Sequence, residues 1–123
     1  MKTLRSALDG WVAATNSRDI GGQLVYYAPR LDAFYTRRGV SREDVRAEKQ
    51  STFGQATRVN MSVSDPSIEV GGDGLTSVMR FRKQYLIEAG GQSRSGEVLQ
   101  ELRWAKTGAG WRITSERDLQ VLR

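Results

Sequence analysis

The sequence predicts an α+β fold, three helices followed by an antiparallel sheet, from three observations. Helical spacing of apolar residues is confined to the first half of the chain, and from residue 57 onward the apolar period changes to two. The stretches "GGDG" (71–74), "AGGQSRSG" (89–96) and "TGAG" (107–110) then cut the second half into long strands joined by tight turns, with no room for crossover helices. Helices segregated from antiparallel strands indicate α+β rather than a βαβ architecture. At 123 residues the chain is long enough for one packed core and too short for two, so residues 1–123 are read as a single domain.

In "TLRSALDGWVAATN" (3–16), Leu4, Leu8, Trp11, Val12 and Thr15 recur at helical spacing and form one apolar stripe. "SRD" breaks that pattern. Asp19 can cap a short second helix in which Ile20, Leu24 and Tyr27 share a face, and Pro29 ends it. "DAFYT" (32–36) reads as a short strand, with Gly39 making the turn after it. Ser41 and Asp44 have the form of a capping box at the start of a third helix, "SREDVRAEKQSTF", anchored by Val45 and Phe53 and otherwise mostly exposed. Val59, Met61 and Val63 alternate on one parity and Ile68 and Val70 on the other, so a bulge or bend is predicted at Asp65-Pro66 within one long strand. Strands follow over 75–88, 97–106 and 111–121. Their shared parity puts Met79, Phe81, Tyr85, Val98, Leu102, Trp104, Trp111 and Ile113 on a core face. Arg80, Arg82, Glu101, Arg103, Arg112 and Glu116 fall on the outer face, turned to solvent or to a second subunit.

Composition excludes several chemistries. There is no cysteine, hence no disulfide, thiolate metal site or cysteine nucleophile, and no histidine, hence no Ser-His-acid triad and none of the usual zinc sites. No cofactor is expected. The net charge of +5 is spread along the chain, and the one cluster in a strand, "RFRK" (80–83), alternates between faces, so the excess favours solubility over a phosphate-tracking groove. No nucleic-acid partner is expected. No run approaches the ~18–20 apolar residues of a membrane span, and the N-terminus lacks the apolar core of a signal peptide. A cytoplasmic location is expected for the chain as given, and a periplasmic or cell-envelope one if it is cut from a longer protein.

The segments "ALDGWVAATNSRDIGGQLVYYAP", "GVSREDVRAEK", "VNMSVSDPSIEVGGDGLTSVMRFRKQY" and "GWRITSE", taken in that order, resemble the nuclear transport factor 2-like (NTF2-like) superfamily. That fold is shared with ketosteroid isomerase, scytalone dehydratase and the polyketide cyclases. The likeness is greatest to small bacterial domains found alone or fused to L,D-transpeptidases. It implies a cone-shaped curved sheet with the helices on its concave face and a pocket at the open end. It implies little about activity, because the scaffold carries isomerases, dehydratases, hydrolases and binding modules. The histidine-aspartate chemistry of scytalone dehydratase and the cyclases is excluded here. A ketosteroid-isomerase type of site needs a tyrosine, an aspartate base and a second acid. Tyr26, Tyr27, Tyr35 and Asp32 lie near the right elements, but the apolar faces of 75–88 and 97–106 carry no acid, since Glu101 has the opposite parity. A substitute isomerase or hydrolase site from Asp32, Arg117 and Tyr27 is the alternative.

Lys83 stands in the apolar row between Phe81 and Tyr85, with Gln100 and Ser115 interrupting the neighbouring rows. Two readings are open at this stage: a stem that snorkels to the rim, or a charged group in a wet pocket. The second gives a ligand-binding set of Tyr27, Lys83, Tyr85, Gln100, Ser115 and Arg117, suited to a small polar or anionic ligand without covalent chemistry. The expected function is a non-catalytic small-ligand-binding or dimerisation module. A homodimer is expected through the outer sheet face, where Glu101 and Glu116 could meet Arg80, Arg82 and Arg103 across a two-fold axis.

Overall fold

The computed structural model describes residues 3–123. Helix α1 (Leu4–Asn16) starts at Thr3, whose side chain accepts from the Ser6 amide, and buries Leu4, Ala7, Leu8, Trp11 and Thr15 on one face. Helix α2 (Ile20–Leu24) is capped by Asp19, whose carboxylate accepts from the Gly22 amide. Helix α3 (Arg42–Phe53) opens with a complete capping box, Asp44 serving where Glu or Gln is usual. Its buried residues are Val45 and Lys49.

Six strands form one sheet in the order β2-β1-β6-β5-β4-β3. They are β1 (Arg30–Phe34), β2 (Arg37–Ser41), β3 (Ala56–Val70), β4 (Thr76–Ala89), β5 (Gln92–Thr107) and β6 (Gly110–Val121). From β3 to β6 the strands are an antiparallel meander, and β1 joins parallel to β6 at Ala33–Ser115 and Phe34–Glu116. The fold is therefore α+β, with a curved, unclosed sheet and the helices at the N-terminal end of the chain. Trp11, Leu8 and Leu24 from the helices pack with Met79, Phe81, Leu102, Trp104, Trp111 and Ile113 from the sheet in one core. Asn16 at the end of α1 ties the helix layer to the edge strand β3, donating to the Met61 carbonyl at 2.9 Å and accepting from its amide at 2.6 Å. Among the described residues no helix is long and apolar enough to cross a membrane.

The region between α2 and α3 is a hairpin rather than one small strand. Its turn falls at Tyr35-Thr36, and Gly39 lies inside β2 instead of making the turn. Tyr35 takes φ +54° there, a conformation that costs energy without a glycine. It is held by its amide, which donates to the Glu116 carbonyl at 2.6 Å. The register of β3 against β4 shifts between Ser64 and Ser67, which places the bulge at Asp65-Pro66 as the proline implied.

The outer face of the sheet corrects one expectation. Glu116 does not lie there: it is fully buried on the core side. Glu101 is also buried, but on the outer side and under arginines of its own chain, accepting from Arg80 (3.0 Å), Arg103 (2.9 Å) and Arg117 (3.0 Å). Glu97 is enclosed in the same way by Arg82, Arg123 and Gln84. With its arginines satisfied internally, this face no longer calls for acidic partners from a second subunit.

Candidate functional site

Two bulges in β6 decide which side chains reach the interior. Trp104 pairs with Ile113 but Arg103 pairs with Ser115, so Thr114 is an extra residue, and its hydroxyl caps the irregularity by donating to the Arg103 carbonyl. Beyond it the parity is inverted. Glu116 now pairs with the core residue Leu102, and Asp118 with Gln100, until a second shift at Leu119 brings Val121 opposite Val98.

Glu116 is the centre of a buried polar cluster. Tyr27 donates its hydroxyl to Oε1 at 2.5 Å, and Tyr35 donates to Oε2 at 2.9 Å. Lys49, one helical turn after Val45 and so facing the sheet, reaches Oε2 at 3.4 Å. Trp11 donates its indole N–H to the Tyr27 hydroxyl at 3.1 Å. Burial opposes the Glu116 charge, yet Lys49, Lys83 and the two hydroxyls outweigh it and hold the carboxyl below the usual range. Burial and the adjacent carboxylate push the Tyr27 and Tyr35 phenols well above their ordinary value, so both stay protonated. Burial lowers the Lys83 pKa, with Glu116 opposing the shift, Lys49 adding to it and Asp118 also opposing it.

Beside this cluster is a cavity of about 240 Å³, with Phe34, Phe53, Val59, Met61 and Ile87 in its wall. Lys83 and Lys49 line it, only 9% and 5% exposed. The Lys83 ammonium lies 5.9 Å from the Tyr35 ring centre and 6.0 Å from that of Tyr85. Among the described residues it has no hydrogen-bond acceptor. Tyr85 can lie across β5 because its cross-strand partner is Gly96, where any Cβ would stand 2.8 Å from the Tyr85 hydroxyl. At the mouth are Asp118, Glu48 and Arg94, all exposed. Asp118 accepts from Gln100 Nε2 at 3.0 Å through one oxygen. Among the described residues no group of three or more acids is arranged to hold a metal ion.

Of the six residues the sequence singled out, Lys83 and Tyr85 line the cavity. Tyr27 and Gln100 lie behind it, fully buried, one bonded to Glu116 and the other to Asp118. Ser115 and Arg117 do not belong to this set. The bulge at Thr114 turns both to the outer face, Ser115 opposite Arg103 and Arg117 onto Glu101. The alternative set of Asp32, Arg117 and Tyr27 is not assembled either, since Asp32 is exposed on β1. Sequence reasoning missed Glu116, Asp118, Lys49 and Tyr35's inward hydroxyl. Lys49 had a signal: it interrupts the Val45–Phe53 stripe of α3 as Lys83 interrupts β4. For Glu116 and Asp118, simple alternation pointed the wrong way.

No family profile matches the sequence, and no curated protein is significantly similar to it. Solved structures are. An NTF2-like superfamily protein from Salmonella enterica aligns over 95% of this chain and 87% of its own, at 15% identity and a TM-score of 0.81. An NTF2-like protein of unknown function in nutrient uptake from Rhodospirillum rubrum aligns over 98% of this chain and 100% of its own, at 17% identity and a TM-score of 0.80. A Streptomyces avermitilis protein of the NTF2-like family, provisionally named a dehydratase, aligns over 95% and 93%, at 15% identity and a TM-score of 0.77. At these identities the likeness establishes the fold, which is the NTF2-like cone.

Proposed function

We propose that this chain is a small-ligand-binding module whose ligand places an anionic group, such as a carboxylate, on Lys83 and an apolar body against the cavity wall. One observation carries the reading: a lysine 9% exposed lines a cavity with no acceptor for its ammonium among the described residues. Buried polar groups are rarely left unpaired, and a buried charge less often still. Two aromatic rings near 6 Å compensate only in part. Glu116 does not serve Lys83, because both of its oxygens are already engaged by Tyr27, Tyr35 and Lys49.

The same engagement speaks against the isomerase or hydrolase reading. A tyrosine that polarises a substrate carbonyl must donate to it, whereas Tyr27 and Tyr35 donate to Glu116. A base must reach a substrate proton, and Glu116 is enclosed. The reading is tested by thermal shift with hexanoate and benzoate against the full chain and the Lys83→Met variant. Stabilisation of the native protein by either acid, absent in a folded Lys83→Met protein, is the expected result. An identical response of the two proteins would refute it.

A further inference from the structure

Resting on that reading, we infer that the ligand is a zwitterion, with its carboxylate inward on Lys83 and an ammonium group outward on Asp118. The charges that line the cavity are not evenly placed. Its closed end is lined by two lysines, Lys49 and Lys83, with one carboxylate, Glu116, buried behind them. Its mouth holds Asp118 and Glu48 against Arg94. The interior is therefore one charge positive, the rim one charge negative, and the whole set neutral. A simple carboxylate satisfies the interior but leaves the negative excess of the rim unpaired. A zwitterion of matching direction satisfies both and leaves the neutrality of the set unchanged.

Asp118 is suited to the outer role. Gln100 Nε2 occupies one of its oxygens and thereby fixes the carboxylate, which is exposed and lines the cavity. It sits on β6 opposite Gln100 of β5, while Lys83 sits on β4 opposite Val98, two residues from Gln100 on the same face. The two charged residues are thus two strand spacings apart and offset by two residues along the strands, roughly 12 Å between backbones. A lysine side chain covers part of that span, and a short aliphatic chain between the ligand's two charged groups covers the rest. Phe53, Met61 and Ile87 supply the apolar wall for such a chain.

The test uses three six-carbon probes that differ only in their ends, 6-aminohexanoate, hexanoate and hexylamine, titrated calorimetrically into the full chain. The zwitterion is expected to bind about fivefold more tightly than hexanoate, the gain an exposed ion pair provides, and hexylamine not to bind measurably. Asp118→Asn is expected to reduce 6-aminohexanoate to the level of hexanoate without weakening hexanoate, and Lys83→Met to abolish both. Asp118 is exposed, so its replacement does not threaten folding, which urea midpoints would verify. Hexanoate binding as tightly as the zwitterion, or an unchanged preference in Asp118→Asn, overturns the inference and leaves the anion-binding reading standing. Failure of both acids to bind overturns the two together.

Discussion

Replacing Glu116 by glutamine tests the buried cluster most directly. The carboxylate is wholly enclosed, accepts from Tyr27 and Tyr35, and is the counter-charge for Lys49 at 3.4 Å. Glutamine has nearly the same shape, but it removes the charge and turns an amide N–H₂ toward groups that are themselves donors. Lys49 then loses its carboxylate partner, and Lys83 loses the larger of its two counter-charges. Removing one partner of a buried pair costs about 3–5 kcal/mol, and that is the loss expected here at pH 7. Urea unfolding followed by tryptophan fluorescence would read it as a lower midpoint at unchanged slope. The pH dependence has a definite sign. Without Glu116, protonated lysine is disfavoured in the fold, so the unfolded chain binds more protons and the variant gains stability as pH rises toward the free-lysine value of about 10.4. The gap to the native protein should therefore narrow above pH 9. In the native protein the depressed Glu116 carboxyl contributes stability that is present above about pH 4.3 and is lost as pH falls through its lowered value. Lys49→Met added to Glu116→Gln should regain about half of the loss, since one orphan charge is gone. A loss below about 1 kcal/mol, or a double variant no better than the single one, would refute this account of the cluster.

Other expectations follow from the same structure. Glu101→Gln should cost roughly 1–2 kcal/mol at pH 7, once solvent screening at the half-exposed arginines is allowed for. Burial works against its charge, but Arg103, Arg117 and Arg80 bring its carboxyl down to about 2, so the difference between variant and native protein should fade between pH 4.5 and about 2, read by urea midpoints at each pH. Gly10→Ala should destabilise by roughly 1–3 kcal/mol despite alanine's better helix propensity, because its Cβ would meet the Tyr26 hydroxyl at 2.0 Å; thermal unfolding decides the sign. Trp104→Ala should cost roughly 3–5 kcal/mol in a denaturant titration, whereas Arg82→Ala, half-exposed and paired only to Glu97, should cost less than about 1 kcal/mol. A homodimer through the outer sheet face would set five arginines over two glutamates against their own copies, so light scattering should find association stronger at high salt than at low.

Much of the fold was legible because each element carries its own signal. The 3.6-residue stripe of α1, the caps at Asp19 and Ser41, and the period of two beyond residue 57 depend on neighbours in sequence and can be read from them. Pro66 made the bulge in β3 visible for the same reason: it cannot donate to a ladder. The bulges at Thr114 and Leu119 carry no such mark, since threonine and leucine are ordinary strand residues, and the irregularity is set by how β5 and β1 hold β6 from either side. A single unmarked insertion then misplaced every side chain from Ser115 to Asp118. That slip exchanged Ser115 and Arg117 for Glu116 and Asp118, which is why Lys83 was found and its counter-charges were not. Tyr35 stood out by its place near the site elements, but its inward hydroxyl was not legible, because a tyrosine at positive φ contradicts local preference and is held by its contacts with Glu116.

The two extra residues in β6 also bear on how a scaffold of this kind changes over generations. Between Thr114 and Leu119 the wall of the cavity is in effect written in a shifted reading frame. Straightening the bulge with Thr114 retained in the ladder would expel two acids and admit a serine and an arginine, inverting the polarity of the interior in one event, whereas loss of Thr114 itself would regularise the strand and keep both acids inward. No single substitution in the strand could do as much. A strand of this sheet can therefore change the ligand chemistry of its cavity by moving the point at which the ladder absorbs an extra residue, with the residues themselves untouched.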